Sequence, residues 1–528
     1  MAVAEYASGL VYHEDIDLSF FIAGLGRTIT AMVGTAAWGP MNEPTRVLTE
    51  DLFKQQFGPP IADSNSYMAA RSYFQRGEEL LFIRVGDGTE LQATLALAVS
   101  GGGAPSIRAV SPGTEGNSVY ITISAGTTSG YKITVDVGDV TAGSEQGVID
   151  NIPLASETDL AALIAASQVA WLIEGINGTV GGNVTVPQVR APLAGGADGT
   201  GTVDENDYIG TTGATKTGLQ LLRSCDELPN VDLIVCPNYK DVADPQALTA
   251  PVWQEMIDIA ETRQDLIAVL DSPPGLTVTE YGSPPLPGGN YGIDQFWRGA
   301  SAHGESLNVN SSFASTYWNW VTITDHFNNA DVSLPPGAAC AGATSYSDRI
   351  SYPWWAPAGL TRGALSPLVK DTEYQPLDDE ILVLQSDNTM GCVNPILLID
   401  NAYYMMGQKT MLRSNSLLNR INVRRLVNKI RKQLTAVIAQ LQFQPNDERT
   451  WREFTELVKP YLDYIVTSRG LISYNIQVGL DVSMTATDIE AGRLIGRVTL
   501  VLMPTAEKVI FDYVITNQDA NFSELGEV

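Results

Sequence analysis

Val231-Asp232-Leu233-Ile234-Val235-Cys236 and Leu266-Ile267-Ala268-Val269-Leu270-Asp271 are two short apolar runs separated by Val252–Arg263, which has helical spacing. Runs this short and this continuous suit central strands covered on two faces. With a helix between them they define an α/β unit. The rest of the chain can be read outward from that unit.

On the N-terminal side, Ile29, Ala31 and Val33 read as a strand that ends in Ala36-Ala37-Trp38-Gly39-Pro40. Thr49 has the position of a helix N-cap, with Asp51 in the first turn, Phe53 and Phe57 below it, and Gly58-Pro59 as the stop. A second helix is expected over Tyr67–Arg76 and a buried strand over Leu80–Val85, which completes a first α/β segment. From about residue 93 the pattern changes to alternation (Val119, Ile121, Ile123; Ile133, Val135, Val137) between Gly, Ser and Thr turns, with a short helix near Glu157–Ala166. Residues 93–200 are therefore expected to be a β-rich domain inserted into the α/β one. Residues 275–350, rich in Gly, Pro, Asn and Ser, are expected to be irregular loops over a few edge strands.

The C-terminal third contains Asn401–Asn446, which holds Lys409, Arg413, Arg420, Arg424, Arg425, Lys429, Arg431 and Lys432 and no Asp or Glu, in a chain of net charge −28. Val423, Leu426, Val427, Ile430, Leu434, Val437 and Leu441 fall on one arc of a helix and the cations on the remainder. Such a face requires a negative partner: nucleic acid, a membrane surface, the chain's own acids, or a second acidic protein. A second helix is expected over Glu448–Ser468, capped by Asn446-Asp447, with a kink or break at Pro460. Two alternating strands follow, at Leu471–Val482 and Arg493–Met503. A last one, Lys508–Thr516 (Val509, Phe511, Tyr513, Ile515), has nothing after it to pack on. A lone terminal strand must return to its own sheet or lend itself to a neighbour. At the other end, residues 1–18 show no helical period, and Leu10-Val11-Tyr12 is their one compact apolar cluster, as in an extended arm.

At 528 residues the chain is too long for one core, and three or four domains are expected. A pI near 4.4 argues against the whole chain coating nucleic acid or an anionic membrane. The cysteines, Cys225, Cys236, Cys340 and Cys392, are far apart and read as reduced, buried thiols. The N-terminus has no cationic stretch followed by an apolar segment, so no signal peptide is read. No window is long and apolar enough for a membrane span. His13, His303 and His326 have no metal-ligand spacing. Gly210–Thr217 has the glycines of a phosphate loop but lacks the Gly-Lys-Ser/Thr triplet, since Lys216 follows Thr215. The acids Asp378, Asp379 and Glu380 cluster without pairing into an acid/base site. The expectation is a protein with no catalytic residues, no metal and no cofactor.

The order of motifs resembles the contractile-tail sheath proteins of bacteriophages, particularly of T4-like myoviruses. The resemblance rests on Ala36–Pro40, Phe57-Gly58, Tyr67–Phe74 and Leu80–Val85, then on Asp226–Leu228 with Asp232–Pro237 and on Ala268–Asp271. Towards the C-terminus it continues in Trp355–Gly359, Asn422–Leu426, Gln444–Asp447 with Trp451, Arg469–Ile472 and Asp488-Ile489. It implies an arm over 1–22, an α/β domain over 23–92 and 201–350, the inserted domain over 93–200 facing outward, a tube-facing α+β domain over 351–507, and an arm over 508–528. It further implies hexameric rings stacked in a helical array around an inner tail tube, with the baseplate and tail-terminator proteins as other partners, in a virion assembled in host cytoplasm. On contraction the sheath would drive the tube through the host envelope for genome ejection. There would be no direct nucleic-acid contact and no membrane insertion.

The arms would complete sheets of neighbouring subunits, making Leu10, Val11, Tyr12, Val509, Phe511, Tyr513 and Ile515 candidates for strand exchange. Arg413, Arg420, Arg424, Arg425, Lys429, Arg431 and Lys432 would face acidic patches on the tube. The alternative for Arg424 and Arg425 is pairing with acids of their own domain, such as Glu448, Glu453 or Asp463. A rival within the class is the sheath of a pyocin-like or insecticidal injection particle. A more distant one is an assembly protein that binds nucleic acid through 409–432.

Overall fold

The computed structural model describes residues 28–507, except 62–63, 98–105, 139–143, 153–163, 165–171, 177–187, 201–202, 214, 225–230, 238–249, 273, 276–308 and 385–392. Both expected terminal arms, and the helix expected over 157–166 apart from Ile164, lie outside the described residues.

An eight-stranded sheet forms the centre. Its strands are β1 (Ile29–Gly34), β2 (Thr45–Val47), β3 (Leu80–Arg84), β4 (Val231–Val235), β5 (Ile267–Asp271), β6 (Ala314–Trp318), β7 (Val393–Ile399) and β8 (Ala402–Met405). They lie in the order β8-β7-β6-β5-β4-β1-β3-β2. The six inner strands run parallel, and β2 and β8 close the edges antiparallel. Both faces are covered, which is why every residue of β3, β4, β5 and β6 is buried and the strands read as apolar runs rather than alternations. One face, with Ala31, Val33, Ile234, Ala268 and Trp318, packs on α3 (Ala250–Arg263) through Trp253, Met256 and Ala260. The other, with Met32, Phe82, Val235, Val269 and Tyr317, packs on α1 (Glu50–Phe57), α2 (Ser66–Phe74) and α4 (Gly337–Ile350). The Thr49 side chain accepts the Leu52 N–H, and Gly58 ends α1 at φ 80°, as the sequence requires.

Two expectations need correction. Residues 275–350 are not only loops and edges: β6 is an inner strand, and α4 is a 14-residue helix with ten buried positions. Its sequence, Gly-Ala-Ala-Cys-Ala-Gly-Ala-Thr-Ser-Tyr-Ser-Asp-Arg-Ile, shows little amphipathic contrast because close packing, not an apolar stripe, holds it. A Cβ at Gly342 would stand 2.7 Å from the Tyr73 carbonyl oxygen on α2. The α/β sheet also runs past the expected boundary at 350, since β7 and β8 belong to it. Ahead of β4, Gly218–Arg223 form a 3₁₀ turn.

The described strands of the 93–200 insertion form two antiparallel sheets, one of Val119–Ala125, Tyr131–Val137, Ser144–Ile152 and Gln188–Pro192, the other of Thr94–Ala96, Ser106–Ala109 and Ile173–Ile176. They share a core that Trp38 enters from the α/β side. The junction is held by Arg84 at the carboxyl end of β3. Its guanidinium donates to the carbonyls of Gly39 (2.7 Å), Pro112 (2.5 Å) and Asp198 (3.0 Å), and burial lowers its pKa to about 10. Gly113 lies against Ala37, where a Cβ would be 2.1 Å from the carbonyl oxygen.

After the sheet come α5 (Ile421–Ala439), α6 (Glu448–Thr467) and the antiparallel pair β9 (Leu471–Val478) and β10 (Gly496–Leu502). The Asp447 carboxylate caps α6 on the Thr450 N–H at 3.0 Å. The α6 helix continues through Pro460, where a kink or break was expected. Leu426, Ile430, Phe454, Val458, Leu462 and Ile465 form one core with Trp354, whose indole N–H donates to the Ser468 carbonyl.

Candidate interaction surface around the basic helix

The basic helix α5 crosses the amino-terminal edge of the central sheet. One stripe, Leu426 and Ile430, faces α6, and the cationic arc faces the residues that open β1, β4, β5 and β6. At β1, Arg425 forks onto the Asp348 carboxylate of α4, with Nη1 to Oδ1 at 3.0 Å and a shorter contact to Oδ2. It also reaches the Thr28 hydroxyl at 3.4 Å. At β4, Lys429 and Lys432 each hold one Asp232 oxygen at 2.9 Å, and Lys432 also donates to the Val231 carbonyl at 2.6 Å. At β5, Asn428 donates to the Leu266 carbonyl and Arg431 to the Gln264 carbonyl (2.9 Å) and side-chain oxygen (2.6 Å); Lys432 stands 3.7 Å from Asp265. At β6, Arg424 contacts the Ser312 hydroxyl and lies 4.1 Å from the Phe313 ring centroid.

Electrostatics follow from this packing. Burial works against the Asp232 carboxylate, but Lys429 and Lys432 outweigh it and hold its pKa below the usual range. Burial works against the Arg425 cation, and Asp348 outweighs that, raising its pKa. Among the described residues Arg424 has no carboxylate partner, and burial with the nearby Arg431 charge lowers its pKa to about 10. Just before α5, Arg420 forks onto Glu507 at 2.8 and 3.2 Å, and Lys409 stands 3.6 Å from the same carboxylate. Arg413 is half-buried, and its backbone N–H donates to Asn310.

Arg420, Arg424, Arg425, Lys429, Arg431 and Lys432 are thus held on partners within the chain. The alternative of pairing with acids such as Glu448, Glu453 or Asp463 finds an acid for Arg425 alone, and it is a different one. Arg425 meets Asp348, and Arg424 meets a hydroxyl and a ring. Asp232 carried a legible signal, a lone carboxylate inside an apolar strand, which demands a buried cation. Because the cations are engaged, the full chain is expected to show no salt-dependent binding to duplex DNA at moderate ionic strength. A steep fall of affinity with salt in a filter-binding titration would show that they are free to engage phosphates. Among the described residues no group of three or more His, Cys, Asp or Glu could hold a metal ion, and no helix is long and apolar enough to cross a membrane.

The combination of a two-face-covered sheet, a β-rich insertion and a helix pair bearing a two-stranded sheet is a sheath-type fold. Over 90% of this chain and 95% of the other it aligns with a sheath tail protein from Listeria innocua at TM-score 0.60 and 17% identity. Over 98% and 99% it aligns with the contracted sheath complex of an extracellular contractile injection system at TM-score 0.53 and 15% identity.

In sequence, residues 413–516 match the family model described as the phage tail sheath C-terminal domain. The tail sheath protein of Vibrio phage KVP40 is 25% identical over 313 residues, 58% of this chain and 45% of that protein. That of Enterobacteria phage T4 is 26% identical over 280 residues, 52% of this chain and 40% of that protein. The chain thus spans less than half the length of these relatives. The resemblance to contractile-tail sheath proteins read from the motifs is borne out.

Proposed function

We propose that this chain is a structural, non-catalytic subunit of a contractile tail sheath that stacks in hexameric rings around an inner tube. Baseplate and terminator proteins would bound the array, and its contraction would drive the tube through the host envelope. The observation that carries the reading is the match of residues 413–516 to the phage tail sheath C-terminal domain.

Its physical support is the β9–β10 pair. The pair packs on the α5–α6 core, but a two-stranded sheet offers edges to a further strand, and Ile472 and Val501 stay exposed on it at 51% and 45%. Further strands, supplied by the 1–22 and 508–528 arms of neighbouring copies through Leu10, Val11, Tyr12, Val509, Phe511, Tyr513 and Ile515, would complete it. Tube contact by the basic segment has to coexist with the internal pairs of Arg424, Arg425, Lys429 and Lys432. Arg431 is exposed and Arg413 and Arg420 are half-buried, so these three keep surface that such a contact could use.

The second reading, the sheath of an injection particle, is favoured by the near-complete alignment to such a sheath. In both readings the concentrated protein polymerises into hollow tubes. Electron microscopy with sedimentation checks this: a chain that stays monomeric at high concentration refutes both.

A further inference from the structure

Thr28, which precedes β1, and Glu507, which follows β10, are held at the same helix start. Glu507 accepts Arg420 Nε at 2.8 Å and Nη2 at 3.2 Å, and Gln408 Nε2 at 2.9 Å. Two residues earlier, the Thr505 hydroxyl accepts the Asn422 side-chain N–H at 3.0 Å. Thr28 donates its hydroxyl to Asp348, which Arg425 clamps, and the next N–H, of Ile29, points at Asp232 at 3.4 Å. Arg420 immediately precedes Ile421, the first residue of α5, and Asn422 and Arg425 lie in its first turns, so the two attachment points are five residues apart at one helix start.

We infer that the first turns of α5 form a clamp that fixes the roots of both terminal segments side by side, so that tension on either arm is delivered to one helix. This rests on the proposal that the two terminal segments exchange strands with neighbouring subunits.

The clamp is also matched to load. Arg425 and Asp348 are 4% and 6% exposed and forked, a geometry that bidentate charge-assisted bonds make strong and directional. Through Lys429, Lys432 and Asp232 the same helix is tied to β4, an inner strand of the sheet. Pull on an arm would therefore be transmitted to the sheet interior rather than peel an edge strand.

The test uses the full chain with Arg420→Gln, Glu507→Gln and the two combined. Amide hydrogen exchange is followed over 496–507, and tube formation by electron microscopy. Each single change is expected to speed exchange there about tenfold, the ratio that about 1.4 kcal/mol of lost interaction gives. Each is also expected to reduce tube formation, and the double change should do no more than the stronger single one, as for two partners of one contact. Effects that multiply in the double variant, or exchange that does not move, overturn the clamp.

Chains lacking 1–22 or 508–528 separate this from the reading beneath it. If both polymerise as the full chain does, strand exchange fails and the clamp with it. If truncation stops polymerisation while the Arg420 and Glu507 variants polymerise normally, the clamp alone is overturned. Truncation and clamp variants failing together support both.

Discussion

Asp232→Ala is expected to cost about 3 kcal/mol at neutral pH and to loosen α5 from the sheet. Breaking a buried ion pair by removing one partner costs roughly 3–5 kcal/mol, because the remaining charge is left without compensation. Here two ammonium groups lose the same carboxylate, and among the described residues Lys432 keeps the Val231 carbonyl and a distant Asp265. The Lys side chains are 14% and 15% exposed, so some water reaches them, which places the expected loss at the lower end of that range.

The pH dependence has a definite sign. The folded pKa of Asp232 lies below the unfolded value, so the pair stabilises fully above about pH 4 and is lost as pH falls through the folded pKa. The difference between Asp232→Ala and the unaltered chain should therefore be constant from pH 8 to 5 and shrink below pH 4. Urea midpoints, with hydrogen exchange over 421–439, measure it. A loss under about 1 kcal/mol would mean that the lysines find solvent and that the contact is a surface pair.

What was legible in the chain divides along physical lines. Elements fixed by local rules were readable: β4 and β5 from their apolar runs, α1 from Thr49 and Gly58, and the α5–α6 pair from helical spacing around Asp447. Elements fixed by close approach were not. The α4 helix is built of Ala, Gly, Ser and Thr because it wedges between α2 and the sheet. A composition rich in Gly and Ser reads as loop when the neighbour that needs it is unseen.

The cations illustrate the same limit in electrostatics. The sequence shows how many charges lie on α5 but not what they face, since Lys429 and Asp232 are 197 residues apart, Arg425 and Asp348 are 77, and Arg420 and Glu507 are 87. An isolated amphipathic helix with an uncompensated basic arc points outward only if the fold leaves that arc uncovered. In this chain the amino edge of the sheet, with Asp232, Asp265 and Asp348 around it, covers it.

The last expected result concerns a carboxyl that is buried without a cation. Asp271 ends β5 and is 4% exposed; one oxygen accepts the Gly337 N–H at the start of α4 at 2.6 Å, and the other has no hydrogen-bond partner among the described residues. The packing is tight enough that a Cβ at Gly337 would stand 2.6 Å from that carboxylate. Burial pushes its pKa up to about 7, against the pull of the Gly337 N–H. The sign is opposite to that of Asp232. With the folded pKa above the unfolded one, the native state holds an extra proton between about pH 4 and 7, so stability falls as pH rises through that window.

Asp271→Asn keeps an oxygen for the Gly337 N–H and cannot ionise. Relative to the unaltered chain it should gain about 2–3 kcal/mol between pH 5 and pH 8, taking about 1.4 kcal/mol per pKa unit up to the folded pKa. Taking the difference between the two proteins at each pH cancels the titration of Asp232 and the other shared groups, so the gap isolates this carboxyl. A gap that stays flat across the range would mean that Asp271 does not titrate there. A gap that closes as pH rises would mean that the α4 terminus stabilises the anion more than burial opposes it, and that the carboxylate holds α4 in place as a charge.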